Sequence, residues 1–397
     1  MSTPLPVINT NANIDVETKQ YDEALVPVAL GKAAVENSMH QQAHRAANAS
    51  APLSIVSPQS PRRHPLAWAQ RQWGHAAWSA KAVARYGLPQ DMYYYQGGLG
   101  DQVLITAVFR ELRKRGQPPV VMMTHFPDLF KNNPDVGKLL PEDPRFVALA
   151  ARFGKQTHHP SYMYENIREM DCHYAPPYPI IARMCKVVGI DGQVDLRPYL
   201  YLSEAEKQEG QIVPQQIAIM SSGMSALHQQ LNKQWYPERF QSVVSSLRER
   251  YNFVQLGAKI DPLLEGVTDL RGKTSLRESA AILSQSLMFV GQIGFLMHLA
   301  RAVDCRSVIV YGGREHPYQS GYVCNENLYT PLKCSPCWQC SLCDYDRECM
   351  RRITPDMVID AVERQVERYG TPLPTDTYHV VVDQGEVPAS SFARGSL

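Results

Sequence analysis

The sequence has 397 residues, 44% of them hydrophobic, and its 40 Lys and Arg nearly balance its 39 Asp and Glu, for a formal net charge of +1. This length accommodates two compact domains plus extra segments. The charge balance excludes a general nucleic-acid binder, which needs a basic excess to neutralise phosphates.

The N-terminal region is rich in Ala, Ser, Gln, Asn and Pro, which predicts a weakly ordered extension over residues 1–90. One helix is expected in it, in LAWAQRQWGHAAWSAKAVARYG. The opening MSTPLPVINTNANID lacks the basic and apolar regions of a secretory signal. The most apolar stretch, residues 286–303, is interrupted by Gln292, His298 and Arg301, and predicts a buried strand and helix rather than a membrane span. We therefore expect a cytoplasmic chain.

From residue 92 the pattern changes to short β-rich runs that alternate with helical periodicity. This alternation predicts parallel sheets with helices on both faces. It occurs twice, so we predict two Rossmann-like domains over 91–210 and 211–370, followed by an extended tail over 371–397. The last predicted helix, in ITPDMVIDAVERQVERYG, begins with Thr354 as its N-cap.

The turn GGLGD follows a predicted strand and opens a helix, where backbone N–H groups and the helix dipole favour an anion. It is not a dinucleotide fingerprint, because Val103 stands where that motif needs glycine. Asp101 has two interpretations. It is either an N-cap-type structural residue or a carboxylate at an interdomain cleft that accepts a proton from a hydroxyl.

Lys233 stands just before a predicted helix in NKQWYPERF. It is either a point charge that contacts a diphosphate or a solvated surface lysine, as most lysines are.

Five cysteines lie close together in KCSPCWQCSLCDYDREC, four of them at C-x-x-C spacing. In a reducing compartment such clustered thiolates predict one tetrahedral zinc or iron ion rather than disulfides. Four ligands are sufficient, so one of the five is spare. The alternative is a set of unligated core cysteines.

Five segments, in this order, resemble glycosyltransferase family nine, the lipopolysaccharide heptosyltransferase group. They are GGLGDQVLITAVFRELRKRG, KQWYPERF, DLRGKTSLRESAAIL, MHLARAVDCRSVIVYGG and KCSPCW with a later CM, and together they span about 92–368. The resemblance implies an α/β fold of the GT-B type, in which two Rossmann-like domains face each other across a cleft. The acceptor would bind mainly to the first domain and a nucleotide-sugar mainly to the second.

The resemblance also implies roles for single residues. Asp101 becomes the general base for the acceptor hydroxyl, with inversion at the anomeric carbon, and Lys233 becomes the diphosphate contact. Gly98 and Gly100 form the turn on the acceptor side. The remaining donor-side candidates are Ser221, Ser222, Gln292, Gly294, Met297 and His298. No metal is needed for catalysis, because Lys233 and helix N-termini can stabilise the leaving diphosphate.

One position departs from the family pattern. Aligned on His298, Ile293 stands where the family has an Asp that contacts the donor sugar, and Phe295 stands at the usual Gly. An apolar Ile cannot accept hydrogen bonds from sugar hydroxyls. Either the donor sugar is not heptose, or Gln292 substitutes for the missing acid.

The cysteine cluster is similar to the finger that holds iron in autotransporter heptosyltransferases, a protein-modifying branch. The resemblance implies one structural Fe or Zn ion in a metal finger over 324–349, with catalysis elsewhere. The favoured ligands are Cys334, Cys337, Cys343 and Cys349, with Cys340 as the alternative ligand.

We thus expect an inverting glycosyltransferase that uses a nucleotide-sugar, with an ADP-linked one favoured, and an acceptor hydroxyl on a glycan, lipopolysaccharide or protein. A homo-oligomer and a peripheral association with the inner membrane both stay open, and no transmembrane segment or nucleic-acid partner is expected. Two other hypotheses are a metal- or redox-responsive cysteine-finger protein and a catalytically inactive GT-B assembly scaffold.

Overall fold

The computed structural model describes residues 8–9, 65–95, 97–162, 176–223 and 230–382. Much of the predicted extension (10–64) and the end of the predicted tail (383–397) lie outside the described residues. The chain divides into two compact units, one formed by 1–13 with 89–397 and the other by 14–88. The first begins with a short strand, β1 (Ile8–Asn9), and the second contains helix α1 (Pro65–Tyr86), where the sequence predicts a helix.

In the larger unit, strands and helices alternate from residue 92. Its first half contains β2 (Met92–Tyr94), α2 (Leu99–Lys114), β3 (Val120–Thr124), β4 (Val136–Pro141), α3 (Pro144–Arg152), β5 (Thr157–His158), α4 (Ile180–Val187), β6 (Gly192–Asp195) and α5 (Glu204–Glu209). Strands β4, β3, β2 and β5, in that order, form a parallel sheet. Helix α2 covers it with an apolar face that includes Val103, Leu104 and Val108, as its periodicity predicts.

The second half is built on a larger sheet. Its elements are β7 (Gln216–Ile219), α6 (Pro237–Leu247), β8 (Asn252–Gln255), β9 (Val267–Asp269), α7 (Leu276–Ser284), β10 (Met288–Gln292), α8 (Phe295–Ala302), β11 (Ser307–Gly312), α9 (Pro317–Ser320), β12 (Glu326–Tyr329), α10 (Glu348–Arg351), α11 (Pro355–Glu367) and β13 (Thr377–Val380). The strand order is β1-β12-β11-β10-β7-β8-β9, and every pairing except that of β1 is parallel. Every residue of β10 and β11 is buried, as expected for central strands covered by helices on both faces.

Two parallel sheets in succession confirm the predicted α/β architecture. The domain limits at 210 and 370 stay predictions. Helix α11 begins as predicted, because the Thr354 side chain accepts a hydrogen bond from the backbone N–H of Met357 and Pro355 occupies the first turn. None of the described helices has both the length and the apolar character needed to cross a lipid bilayer.

The predicted extended tail contains β13, which returns to the first half of the chain. Strand β13 pairs antiparallel with β6. The backbone N–H of Leu196 donates to the carbonyl of Asp376 at 2.8 Å, and the Tyr178 and Tyr378 rings stack with centroids 5.7 Å apart. Val380 is buried. The described part of the tail is therefore integrated into the fold.

Candidate active site

Asp101 lies in the first turn of α2, which follows the carboxyl end of β2 after a short connection. The backbone N–H of Gly98, the N-cap residue, donates to the Asp101 Oδ2 at 2.8 Å. A Cβ at Gly97 would lie only 2.6 Å from that Oδ2, so a side chain there would displace the carboxylate. Sequence reasoning selected Gly98 and Gly100 and missed Gly97. The sequence feature that could have identified Gly97 is the double glycine in GGLGD.

Gly100 brings the start of α2 against the start of α8. A Cβ at Gly100 would lie 3.4 Å from the His298 Cδ2 and 3.6 Å from the Phe295 Cα. Glycine therefore permits the close approach between an element of the first half and an element of the second. Asp101 and His298, which are far apart in sequence, are thereby placed on neighbouring turns.

The Asp101 carboxyl is partly buried, and this burial raises its pKa above the usual range for Asp. The hydrogen bonds from the Tyr162 hydroxyl and the Gly98 N–H, and the positive charge of Lys233, oppose that shift without cancelling it. The Glu315 charge adds to it. A carboxylate with a raised pKa is a stronger base than an ordinary Asp, provided that the pH keeps it ionised.

Replacing Tyr162 by Phe tests this arrangement through the pH dependence of activity. The Tyr162 hydrogen bond favours the charged form of Asp101, so its loss should raise the pKa of that carboxyl further. A general base works only when it is ionised. The activity lost on acidification is therefore lost at a higher pH when the pKa of the base is raised. We expect the acidic limb of the kcat/KM profile to move to higher pH in Tyr162→Phe and to stay in place in the exposed control Tyr369→Phe. An unmoved limb in Tyr162→Phe would contradict the assignment.

Lys233 ends a single 3-10 turn (Leu231–Lys233) before α6, and its side chain is only 20% exposed. The interpretation as a solvated surface lysine is therefore wrong. Its Nζ lies 2.6 Å from the Glu315 Oε1. Burial lowers the pKa of the ammonium, while the charges of Glu315 and Asp101 raise it and that of Arg314 lowers it. Lys233 and Asp101 thus lie close enough for their charges to interact.

Glu315, which sequence reasoning missed, follows β11 and is almost completely buried. Its carboxylate accepts hydrogen bonds from the Ser320 hydroxyl at 2.7 Å and from the Arg314 guanidinium. Burial raises the pKa of Glu315, but the cations of Lys233 and Arg314 outweigh burial and hold it at about 2. The sequence feature that could have identified Glu315 is the charged pair Arg314–Glu315, which follows the apolar run SVIVYGG. This run predicts a buried strand, and ligands bind at the carboxyl ends of such strands in open α/β folds.

His298 is buried on α8, and its Nδ1 lies 2.6 Å from the Tyr322 hydroxyl. Burial lowers the pKa of its imidazole to about 4. The ring is therefore neutral near pH 7 and can exchange hydrogen bonds without contributing a charge.

The hydroxyls of Ser221 and Ser222, directly after β7, make hydrogen bonds within the protein. Ser221 Oγ donates to the Pro262 carbonyl at 2.5 Å, and Ser222 Oγ lies 2.9 Å from the Asp261 Oδ1. These bonds tie the two serines to the segment that follows β8. Their predicted donor contacts stay predictions.

Gln292 organises the segment that carries Lys233. Its Oε1 accepts from the Trp235 N–H at 2.9 Å, and its Nε2 donates to the Gln234 Oε1 at 2.8 Å. The same Gln234 oxygen accepts from the Gly223 N–H at 2.8 Å. Both polar side-chain atoms of Gln292 thus have hydrogen-bond partners within the protein. This limits the ability of Gln292 to replace the family's Asp as a hydrogen-bond partner of the donor sugar.

The remaining donor-side candidates lie at the start of α8. Gly294 is its N-cap residue. Met297 is completely buried, with its Sδ 3.5 Å from the Tyr311 hydroxyl, and Ile293 is buried as well. The predicted contact of Met297 with a donor stays a prediction.

The cysteine loop, which we define as residues 334–349, is not arranged as a closed metal centre. Among the described residues, no three Cys, His, Asp or Glu side chains converge on a position that would hold a metal ion. Four of the cysteines nevertheless interact electrostatically. Burial, and then the neighbouring thiols of Cys337, Cys343 and Cys334, raise the pKa of Cys349 to about 11. These four are the favoured ligand set.

Cys340 lies beside Arg314, with its Sγ 3.9 Å from the Arg314 Nη2. Four thiolates suit a tetrahedral zinc or iron ion. The choice of ligands, with Cys340 as the spare cysteine, stays a prediction.

The cysteine loop also supports the residue before Lys233. The backbone N–H of Asn232 donates to the Cys340 carbonyl at 2.9 Å, and its Nδ2 donates to the carbonyls of Gln339 at 3.2 Å and Leu342 at 2.8 Å. The loop thus holds the 3-10 turn that presents Lys233.

The residue before Glu315 is supported in the same way. Arg314 Nε donates to the Gln339 carbonyl at 2.9 Å, and its guanidinium lies over the Trp338 ring, 5.2 Å from the centroid. The cysteine loop therefore contacts both chain segments of the Lys233–Glu315 ion pair.

Comparison with known proteins gives a match of part of the chain to a family model, and a fold. The model of glycosyltransferase family 9 (heptosyltransferase) matches residues 192–344. None of the curated proteins matches the chain. Three solved structures are similar to it over 70% of its length: a family 9 glycosyltransferase from Veillonella parvula (15% identity, 98% of that chain, TM-score 0.53), the ADP-heptose lipopolysaccharide heptosyltransferase II of E. coli (14%, 99%, 0.53), and the iron-containing dodecameric glycosyltransferase TibC of enterotoxigenic E. coli (16%, 77%, 0.53). These findings confirm the predicted resemblance and the predicted fold.

Proposed function

We propose that this glycosyltransferase, similar to family 9, transfers heptose from ADP-heptose to a hydroxyl of a glycan, lipopolysaccharide or protein acceptor, with inversion at the anomeric carbon. The observation that carries the proposal is the pairing of a basic carboxylate, Asp101, with a buried lysine, Lys233, where α2 meets α8. The donor is supported by E. coli heptosyltransferase II and by TibC, whose structure with ADP-D-β-D-heptose is similar to this chain over 70% of its length (17% identity, TM-score 0.52).

The two residues supply the two groups that a single displacement needs. Asp101 accepts the proton of the acceptor hydroxyl as that oxygen forms its bond to the anomeric carbon. The bond from the anomeric carbon to the diphosphate oxygen breaks, its electron pair stays on that oxygen, and Lys233 stabilises the charge on the departing ADP. Attack opposite the leaving group inverts the anomeric carbon. His298 is neutral and takes no proton in this sequence.

A nucleotide panel tests the donor. Thermal unfolding would be followed with ADP, UDP, GDP and CMP, and then with ADP-heptose and ADP-glucose. A ligand at one hundred times its Kd stabilises the folded state by about 2.7 kcal/mol, which a melting curve detects easily. We expect a selective shift with ADP and release of ADP from ADP-heptose in the presence of acceptor. Selectivity for another base, or no shift with any nucleotide, would overturn the donor assignment.

We further propose that the cysteine loop holds one structural ion on Cys334, Cys337, Cys343 and Cys349. The iron-containing neighbour TibC supports iron over zinc. An ion bound there would fix the loop that holds Asn232 and Arg314, and none of the reacting groups would belong to it. TibC is also dodecameric, which supports a homo-oligomer for this chain.

Two Cys→Ser variants test the ligand set. Mutation of a residue that only orients a metal ligand typically lowers metal affinity about 10- to 100-fold. Loss of a thiolate ligand itself should weaken metal binding at least as much. Elemental analysis of the purified protein should show metal in Cys340→Ser at the level of the unmodified chain and a loss of most of it in Cys343→Ser. Equal loss in both variants would contradict the set.

The hypothesis of an inactive scaffold is less well supported. Asp101 and Lys233 are both present, and their charges interact. A scaffold has no need of a partly buried carboxylate with a raised pKa beside a buried lysine, since both cost folding free energy.

A further inference from the structure

The Lys233–Glu315 ion pair joins two segments that are distant in sequence. Lys233 precedes α6, and Glu315 follows β11. The Nζ and Oε1 atoms are 2.6 Å apart, and the two side chains are 20% and 5% exposed. A charge pair with so little access to water costs desolvation free energy, which only good geometry and further hydrogen bonds offset.

Glu315 has those additional bonds. Ser320 donates its hydroxyl to the second carboxylate oxygen at 2.7 Å, and Arg314 donates to the oxygen that Lys233 contacts. Arg314 is itself held by Trp338 and by the Gln339 carbonyl. The Glu315 carboxylate is therefore fixed before any ligand arrives, and it fixes the position of the Lys233 ammonium.

Charges of both signs surround Lys233. Among the described residues, the largest charge effects on Lys233 come from the cation Arg314 and from the carboxylates of Glu315 and Asp101. His298 also interacts with Lys233 but is neutral near pH 7. A diphosphate brings additional negative charge to this set, so its binding depends on Lys233 staying protonated despite burial.

We propose that Glu315 is a positioning residue for the donor: it keeps Lys233 a cation and holds its ammonium where the diphosphate binds. This inference rests on the proposed function, because the role of Lys233 toward a diphosphate is part of that function. Glu315 itself does not touch the reacting atoms. Its effect on the donor is exerted through Lys233.

Glu315→Gln removes the charge and keeps the shape. Without the carboxylate, the pKa of Lys233 falls further, so the ammonium is lost at a lower pH as the solution becomes more alkaline. We expect the Kd for ADP to rise at least ~10-fold. This effect is smaller than the roughly 10²- to 10³-fold effect of removing a whole charge-stabilising donor, because Lys233 itself is still present. The basic limb of the kcat/KM profile for the donor should also move to lower pH.

Three comparison variants separate positioning from a general loss of structure. Glu315→Asp keeps the charge, so its basic limb should stay close to that of the unmodified enzyme. In the double variant Lys233→Arg with Glu315→Gln, the guanidinium does not titrate, so the basic limb assigned to Lys233 should disappear. Glu249→Gln, at an exposed side chain, is the matched control and should change neither Kd nor the profile.

The outcomes distinguish this inference from the proposed function. If the unmodified enzyme binds ADP and Glu315→Gln has the same Kd and the same basic limb, the role of Glu315 is refuted and the proposed function stands. If the unmodified enzyme binds no adenine nucleotide, the proposed function fails, and this inference fails with it. The role of Glu315 is supported if Glu315→Gln raises the Kd for ADP tenfold and moves the basic limb to lower pH, and if Glu315→Asp behaves like the unmodified enzyme in both respects.

Discussion

Replacement of Asp101 by Asn should lower the turnover of sugar transfer about 10²- to 10⁴-fold, the range that general-base catalysis typically contributes. Asn keeps the size of the side chain and can still accept the hydrogen bond from Gly98, but its amide cannot take a proton from the acceptor hydroxyl. The Kd for ADP should change little, because Asp101 acts on the acceptor. Turnover would be measured as ADP release with saturating donor, and Kd by calorimetry.

The matched control for this variant is Asp360→Asn, at an exposed position on α11. It should have the turnover of the unmodified enzyme. Unchanged turnover in Asp101→Asn would show that another group accepts the proton. A loss of ADP binding in Asp101→Asn would place Asp101 on the donor side instead.

Replacement of Lys233 by Met should lower kcat by about 10²- to 10³-fold, comparable to the loss of one donor that stabilises a developing negative charge. Weaker ADP binding should accompany it. Met removes the lysine charge that acts on Glu315 and leaves that carboxylate with Arg314. Such unpairing of a buried ion pair typically destabilises a protein by about 3–5 kcal/mol, so a lower melting temperature is also expected.

The double variant Lys233→Met with Glu315→Gln separates the two effects. It removes both charges of the pair, so the melting temperature should recover while kcat stays low. Lys155→Ala, at an exposed position after α3, is the control for loss of a lysine charge. If the double variant recovers activity together with stability, Lys233 is only a structural residue.

Local sequence patterns predicted the elements and the place where the site forms. Hydrophobic periodicity identified α2 and α8, and the position of Asp101 and His298 at helix starts follows from those boundaries. The approach of the two helix starts depends on the small size of Gly100, and a glycine can be read from the sequence. The resemblance to family nine supplied the pairing of Asp101 with Lys233, which periodicity alone does not provide.

The partners of individual side chains could not be predicted in the same way. Met297 is adjacent to His298 in sequence, but neighbours on a helix point about 100° apart, and Met297 packs against Tyr311 in the core. Glu315 could not be identified because its partner, Lys233, lies 82 positions earlier in the sequence (315 − 233). A buried charge is recognisable only when both partners are known.

The pairing of β13 with β6 has a consequence for the order in which the chain can fold. Residues 192–195 leave the ribosome long before their partner, residues 377–380, has been made. At typical rates of about 5–20 residues per second, the delay is roughly 10–40 s. During synthesis β6 therefore waits without its strand partner, while the strands from β7 to β12 can already pair with one another. The two-stranded sheet of β13 and β6 therefore forms only after residues 377–380 have been made, and it then ties the chain beyond α11 to the segment between α4 and α5.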